Sequence, residues 1–271
     1  MDKKQPVGLF DSGIGGFTVL KELQKRLPLE NAVYLGDSKR MPYGERENEE
    51  IIDFANSGIR FLEEKGVKAI LLACNTGSSL IDRLESQVPL FSIVEAGCEA
   101  TLAVKKEGAV GLIATTATVK NGAYERILAE HTDRVHYVTQ GTRTLAKIIN
   151  NHLYERTLLK RNIKDAIDPI LDKQNVDALL LGCTHFPIVR ETIEQMYPEL
   201  RIINPAEKQI ARLETYLKHQ GLLNTDGGNT EIYTTRNVKD EKIITQIIDH
   251  IGLDYSVLVQ TELDVDREEE V

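Results

Sequence analysis

The sequence predicts an α/β protein whose doubly wound, mainly parallel strands are divided between two sheets. Three observations carry this expectation. Short apolar runs alternate with longer segments of helical spacing along most of the chain. Several of those runs are apolar without interruption, as parallel strands covered on both faces are. Two distant segments also echo one another: Ile70-Leu71-Leu72-Ala73-Cys74-Asn75-Thr76 and Leu179-Leu180-Leu181-Gly182-Cys183-Thr184-His185. Each is an apolar strand, a small residue, a cysteine, then small polar residues leading toward a helix.

In order, the strand-like runs are Val7–Phe10, Ala32–Leu35, Ala69–Ala73, Leu90–Val94 and Ala109–Ala114, followed by Val135–Val138, Ala178–Leu181, Arg201–Ile203, Glu231–Thr234 and Tyr255–Leu258. Between them, Val19, Leu20, Leu23 and Leu27 make one helical stripe, and Ile51, Ile52, Ala55, Ile59 and Leu62 make another. About ten strands is near the upper end for one open twisted sheet, so two sheets are expected. The echoed βα units then become two related half-sites facing each other. The tail from Asp264 to Val271, with five acids against one arginine, reads as solvated or frayed.

Composition narrows the class. The chain has 271 residues, 41% hydrophobic and 28% charged, the range of an ordinary globular protein with a full core. A net charge of −9 disfavours nucleic acid and anionic membrane surfaces as partners. No signal-like apolar segment and no run of membrane-spanning length is visible. The cysteines at 74, 98 and 183 are odd in number and form no C-x-x-C pair, which argues against a disulfide framework and a Cys-rich zinc site. A reducing cytoplasm is the expected location.

Ligands of open α/β sheets gather beyond the carboxyl ends of the strands, where Cys74 and Cys183 both fall. A third such place is Phe10-Asp11-Ser12-Gly13-Ile14-Gly15-Gly16, a strand end and glycine-rich turn before a helix from Phe17. Its spacing is not G-x-G-x-x-G and no P-loop is present, so a small carboxylate suits the turn better than a dinucleotide. A single buried cysteine after a strand is usually a small core hydrophobe. Two in matching contexts reverse that balance, whereas Cys98, behind Gly97 in a helical segment, stays in the core. Asp11 has helix capping as its bland role, His185 has a structural one or zinc ligation with Cys183, and Tyr43 is otherwise a loop aromatic. No second ligand cluster accompanies Cys183 and His185, so neither metal nor organic cofactor is expected.

Together, Gly8-Leu9-Phe10-Asp11-Ser12-Gly13-Ile14-Gly15-Gly16, Tyr34-Leu35-Gly36-Asp37, Pro42-Tyr43-Gly44, Ala73-Cys74-Asn75-Thr76 and Gly182-Cys183-Thr184-His185-Phe186-Pro187 resemble the bacterial glutamate racemase family across nearly the whole chain. The resemblance implies two pseudo-symmetric α/β domains with the active site at their interface. It sets the first domain at 1–96 plus 207–271, the chain returning to complete it, and the second at 97–206. It further implies Cys74 and Cys183 as catalytic thiols, with Asp11 near the first and His185 near the second. Asp11, Ser12, Tyr43, Gly44, Asn75, Thr76, Thr184 and His185 would hold glutamate, and the D-glutamate made would supply peptidoglycan. In the family, the counterpart of Cys183 takes the proton from the L-isomer and that of Cys74 from the D-isomer. The chain departs from the pattern at Gly77, at Glu95-Ala96-Gly97, at Asn204-Pro205, and between Gln140 and Asn151. That last stretch lacks a glutamate that assists the histidine in the family, and Asn150 or Asn151 falls near its place.

The chemistry fits paired thiols. Racemisation removes the α-proton from one face and returns one from the other, which needs two opposed groups. A thiol with a reference pKa of about 8.5 reaches either state when its neighbours shift it modestly. Three other readings stay open at this stage: an aspartate racemase, a Cys–His hydrolase or transferase built on Cys183 and His185, and a non-catalytic amino-acid-binding protein. A homodimer is also left open.

Overall fold

The computed structural model describes residues 2–235 and 241–264, the side chains of 241 and 242 excepted. The described strands form two all-parallel sheets. The first contains β1 (Val7–Asp11), β2 (Ala32–Gly36), β3 (Ala69–Leu72), β4 (Leu90–Ser92), β9 (Thr230–Thr234) and β10 (Val257–Gln260) in the order β10-β9-β2-β1-β3-β4. The second contains β5 (Gly108–Thr115), β6 (Val135–Thr142), β7 (Ala178–Gly182) and β8 (Arg201–Ile203) in the order β6-β5-β7-β8. This is the two-sheet, doubly wound arrangement expected.

The wiring repeats. Within the first four strands the order is 2-1-3-4, and within the next four it is 6-5-7-8, the same path twice. Cys74 therefore follows the third strand of one unit and Cys183 the third strand of the other. Asp11 ends the first strand of one unit and Thr115 ends its counterpart.

Several boundaries differ from expectation, β6 running on to Thr142 rather than ending at Val138, and two of the differences have a visible cause. Ile93 and Val94 open the helix Ile93–Val104 rather than extending β4, because the Ser92 hydroxyl caps it by accepting from the Glu95 N–H at 3.2 Å. The last strand starts at Val257, not Tyr255. Ser256 directs both its N–H and its hydroxyl to the Thr230 carbonyl, at 2.8 and 2.7 Å, and the ladder begins one residue later. In the acidic tail, residues 265–271 lie outside the described residues.

A central core joins the facing sides of both sheets through the helices Phe17–Arg26, Ile93–Val104 and Pro205–His219. Cys98 is wholly buried within it, as expected of a core thiol. Separate outer cores lie under the helix Asn48–Glu64 and the helix Arg156–Lys173. Beside the first sheet, Lys68 and Glu30 form a buried ion pair at 2.5 Å. Lys68 Nζ also donates to the carbonyls of Lys3 (2.7 Å) and Leu222 (2.9 Å), and Glu30 Oε1 accepts from the Asn224 N–H (2.7 Å). Such a pair holds only when its remaining donors and acceptors are met, and here segments from both ends of the chain meet them.

Candidate active site

The carboxyl ends of the two sheets meet, and the residues singled out in the sequence gather there from both. Asp11 is fully buried. One carboxylate oxygen accepts from the Gly13 N–H at 2.9 Å, and the other accepts from the Thr184 hydroxyl of the opposite unit at 3.1 Å. Thr18 Oγ1 donates to the Thr184 carbonyl at 3.0 Å, fastening the same turn a second time. Gly15 makes this approach possible. A Cβ there would lie 2.5 Å from both His185 Nδ1 and Thr184 Oγ1, so any side chain would push the second unit away.

The other cysteine turn is held in the reciprocal way. Thr76 Oγ1 lies 3.1 Å from Thr115 Oγ1 and 3.2 Å from Thr118 Oγ1, across the two units. Thus each unit's leading strand end reaches the partner unit's cysteine turn, Asp11 to Thr184 and Thr115 to Thr76. The symmetry of the backbone is broken by charge, because one strand end carries an acid and the other a hydroxyl. Sequence reasoning passes over Thr115 and Thr118. The strand-end rule applied to β5 reaches the first of them, whereas only the fold brings the second to Thr76.

The sulfurs sit in different company. Cys74 Sγ lies 3.3 Å from Ser12 Oγ, and no hydrogen bond joins it to Asp11 among the described residues. Burial, and then the Asp11 charge, push the Cys74 thiol up to about 11. Cys183 Sγ lies 3.9 Å from His185 Nδ1, a long contact even for sulfur. Burial raises the Cys183 thiol well above its ordinary value, and the charges of Asp11 and Cys74 add to this. Burial alone lowers His185 to about 4, so its imidazole is neutral at pH 7. Burial also raises Asp11 to about 6, against the Gly13, Thr184 and Gly16 donors that favour its ionised form. In the free protein, then, both thiols are protonated.

Of the remaining expected residues, Asn75, Thr76 and Thr184 are buried at the same cleft and Ser12 is half-buried there. Tyr43 is placed differently from a hydroxyl donor to substrate. Its Oη donates to Asp37 Oδ2 at 2.6 Å, and its ring packs on Phe10 and Phe54. Asp37 also accepts from Arg40 Nη1 and Thr235 Oγ1, both at 2.7 Å, so the phenol is fixed in a closed network. The 43–45 loop reaches the site at Gly44. A Cβ on Gly44 would come within 3.1 Å of Thr115 Cβ, which puts that loop against the end of β5. His185 Nε2 is buried without a partner among the described residues, and so is Asn150 Oδ1. Asn150 lies on the helix Leu145–His152, which packs against the turn Phe186–Val189 that follows His185. Asn151 is exposed. Among the described residues, no group of three or more His, Cys, Asp or Glu is placed to hold a metal ion.

Two like-wired sheets that present cysteine turns to a common buried cleft define a protein built for chemistry on a small molecule held between them. The Asp/Glu/hydantoin racemase family matches residues 18–213, and the chain belongs to that family. It is 34% identical over 250 residues to glutamate racemase 2 of Caldanaerobacter subterraneus subsp. tengcongensis, covering 92% of this chain and 94% of that one. The structure is similar to the crystal structure of glutamate racemase isoform RacE1 from Bacillus anthracis, with a TM-score of 0.87 at 31% identity over 96% of this chain and 98% of that one. It is also similar to Francisella tularensis glutamate racemase in complex with D-glutamate, with a TM-score of 0.86 at 29% identity over 97% and 99%.

Proposed function

We propose that the chain interconverts L- and D-glutamate without a cofactor, with Cys74 and Cys183 as the two acid–base groups on opposite faces of the α-carbon. The observation that carries this is the repeated wiring, which sets one cysteine after the third strand of each unit, at one cleft. A base must be a thiolate, and both thiols are held protonated in the free site. The substrate's ammonium is the cation that changes this, since an opposite charge within about 4–6 Å lowers a thiol's pKa. Ser12, Asn75, Thr76 and Thr184 supply donors for the carboxylates and for the charge that grows on deprotonation at the α-carbon. The backbone of Tyr43 and Gly44 serves the same purpose on the other side of the cleft. Asp11 and His185 tune the two thiols through charge and through the 3.9 Å contact to Cys183.

Incubating L-glutamate with the protein in D2O tests the reading. Optical rotation is expected to fall to zero while the D-product carries a solvent deuteron at the α-carbon. Chelation is expected to leave the rate unchanged, and L-aspartate to be turned over with the lower kcat/KM, because a site sized for one chain length misplaces the α-carbon of the other. Retention of rotation with no exchange would sink the proposal, and a higher kcat/KM for aspartate would reassign the substrate. D-Glutamate for peptidoglycan, made in the cytoplasm, is the role that follows. No helix among the described residues is long and apolar enough to cross a membrane. As domain limits we propose 1–96 plus 207–271 and 97–206, with the packed helices Ile93–Val104 and Pro205–His219 carrying the two crossings.

Among the described residues no carboxylate is hydrogen-bonded to His185, and the neutral, buried Asn150 lies on the helix packed against the turn that follows it. The L-to-D direction, in which Cys183 is the base, is therefore expected to have its optimum at higher pH than the reverse. Asn150→Asp should raise the His185 pKa and move the L-to-D optimum down by about one unit, leaving the D-to-L optimum in place. Asn151→Asp, at an exposed position, should move neither. Profiles of kcat against pH in both directions decide this, and superimposable curves in all three proteins would remove Asn150 from the mechanism.

A further inference from the structure

Asn75 follows Cys74 directly, and its amide is buried. One end of that amide is taken: Tyr124 Oη, from the other unit, donates to Asn75 Oδ1 at 2.6 Å. The other end, Nδ2, is buried and has no partner among the described residues. A buried amide with one satisfied end is costly unless something arrives to meet the other, and an N–H pair meets an acceptor.

Tyr124 is itself closely seated. Its side chain is buried, and burial holds its phenol well above the ordinary range, so it stays a neutral donor. Its ring stands edge-on to Tyr137 at 5.8 Å, and Tyr137 Oη in turn donates to Thr101 Oγ1 at 2.9 Å. Cys98 Sγ donates to the Tyr124 carbonyl at 3.5 Å. Gly97 supplies the slot, since a Cβ there would lie 2.8 Å from Tyr124 Cε1 and 3.1 Å from its Oη. Both the hydroxyl position and the ring are therefore fixed by the second unit before any ligand enters.

We propose that Tyr124 is a positioning residue: by occupying Asn75 Oδ1 it locks the amide with its N–H pair facing the cleft, so that this side of the site accepts a carboxylate and rejects an ammonium. This rests on the racemase reading above. An amide free to turn over presents an acceptor half of the time and repels the same carboxylate. The lock acts on binding in both directions alike, since L- and D-glutamate bring the same carboxylates and only the α-proton differs.

The test is a double-mutant cycle on the full chain. Tyr124→Phe keeps the ring and removes only the hydroxyl. It is expected to raise KM for L- and for D-glutamate by about tenfold, with kcat held within about twofold. In an Asn75→Ala background there is no amide left to orient, and Tyr124→Phe is expected to leave KM where Asn75→Ala put it. It should also raise Tm there, because it removes a hydroxyl that has lost its acceptor. Unchanged KM in the single variant overturns the proposal, as does an equal rise in both backgrounds, the result of mere packing. Glutamate binding followed by calorimetry runs beside the kinetics. A wild type that binds glutamate without racemising it fails the activity reading while the cycle still judges the lock on Kd. A wild type that does neither overturns both.

Discussion

Cys74→Ser and Cys183→Ser are each expected to lower racemisation in both directions by about a thousandfold or more, the range a positioned acid–base group contributes. A serine hydroxyl gives up its proton far less readily than a thiol, so each variant lacks one of the two faces that the reaction needs. Both directions fail together, because the group that is base for one isomer is acid for the other. Cys98→Ser serves as the control. That thiol is wholly buried in the central core, pushed up to about 12 by burial, and keeps a donor to the Tyr124 carbonyl when it becomes a hydroxyl. Turnover near wild type in either of the first two variants, measured by polarimetry with mass spectrometry for α-deuterium, would remove the two-thiol mechanism.

Asp11→Asn is expected to make the protein more stable and less active at once. The folded-state pKa of Asp11 is raised from 3.8 to about 6 by burial. A raised carboxyl pKa contributes stability that is fully present below 3.8 and lost as pH rises through about 6, since the unfolded chain ionises first. At neutral pH the wild type therefore carries a penalty of about 3 kcal/mol, at about 1.4 kcal/mol per pKa unit, and the amide does not. Asparagine can still accept from the Gly13 N–H and face the Thr184 hydroxyl, so the fold loses little. Urea unfolding of both proteins between about pH 4 and pH 8 should show curves that meet at the acid end and separate by about pH 6. A wild type at least as stable as the variant at pH 8 would show that Asp11 carries no such strain. Racemase activity measured on the same samples should fall, which places the acid in the tuning of the thiols rather than in the fold.

Much of the site was legible because its chemistry lies in short strand-end segments. The echoed runs ending in Cys74 and Cys183 located both thiols, and the turn after Phe10 located Asp11, since an apolar strand followed by small polar residues marks a strand's carboxyl end wherever it occurs. Whatever joins distant segments was not legible in this way. Nothing in the sequence announces that Thr184 reaches Asp11, or that Tyr124 reaches Asn75 from the other unit, because both contacts depend on how the sheets face each other. Tyr43 was legible only as a motif: nothing in the sequence announces that the Asp37 carboxylate takes its hydroxyl. The start of the helix at Ile93 was hidden because β-branched residues read as strand until the Ser92 cap is recognised.

The order in which the ribosome releases this chain is not the order in which its sheets can close. β2 is complete at Gly36, but β9, which pairs along its outer edge, begins at Thr230. At about 5–20 residues per second, roughly 10–40 s of synthesis separates the two. Throughout that interval β2 offers an unpaired edge of the kind that recruits foreign strands. Glu30 and Lys68 meanwhile lack the Leu222 and Asn224 backbone groups that complete their burial. The four strands β5 to β8 form an uninterrupted stretch and need no later strand to complete their pairing. The later-made sheet is thus free to pair first, and the earlier-made one keeps an open edge along β2 until β9 emerges.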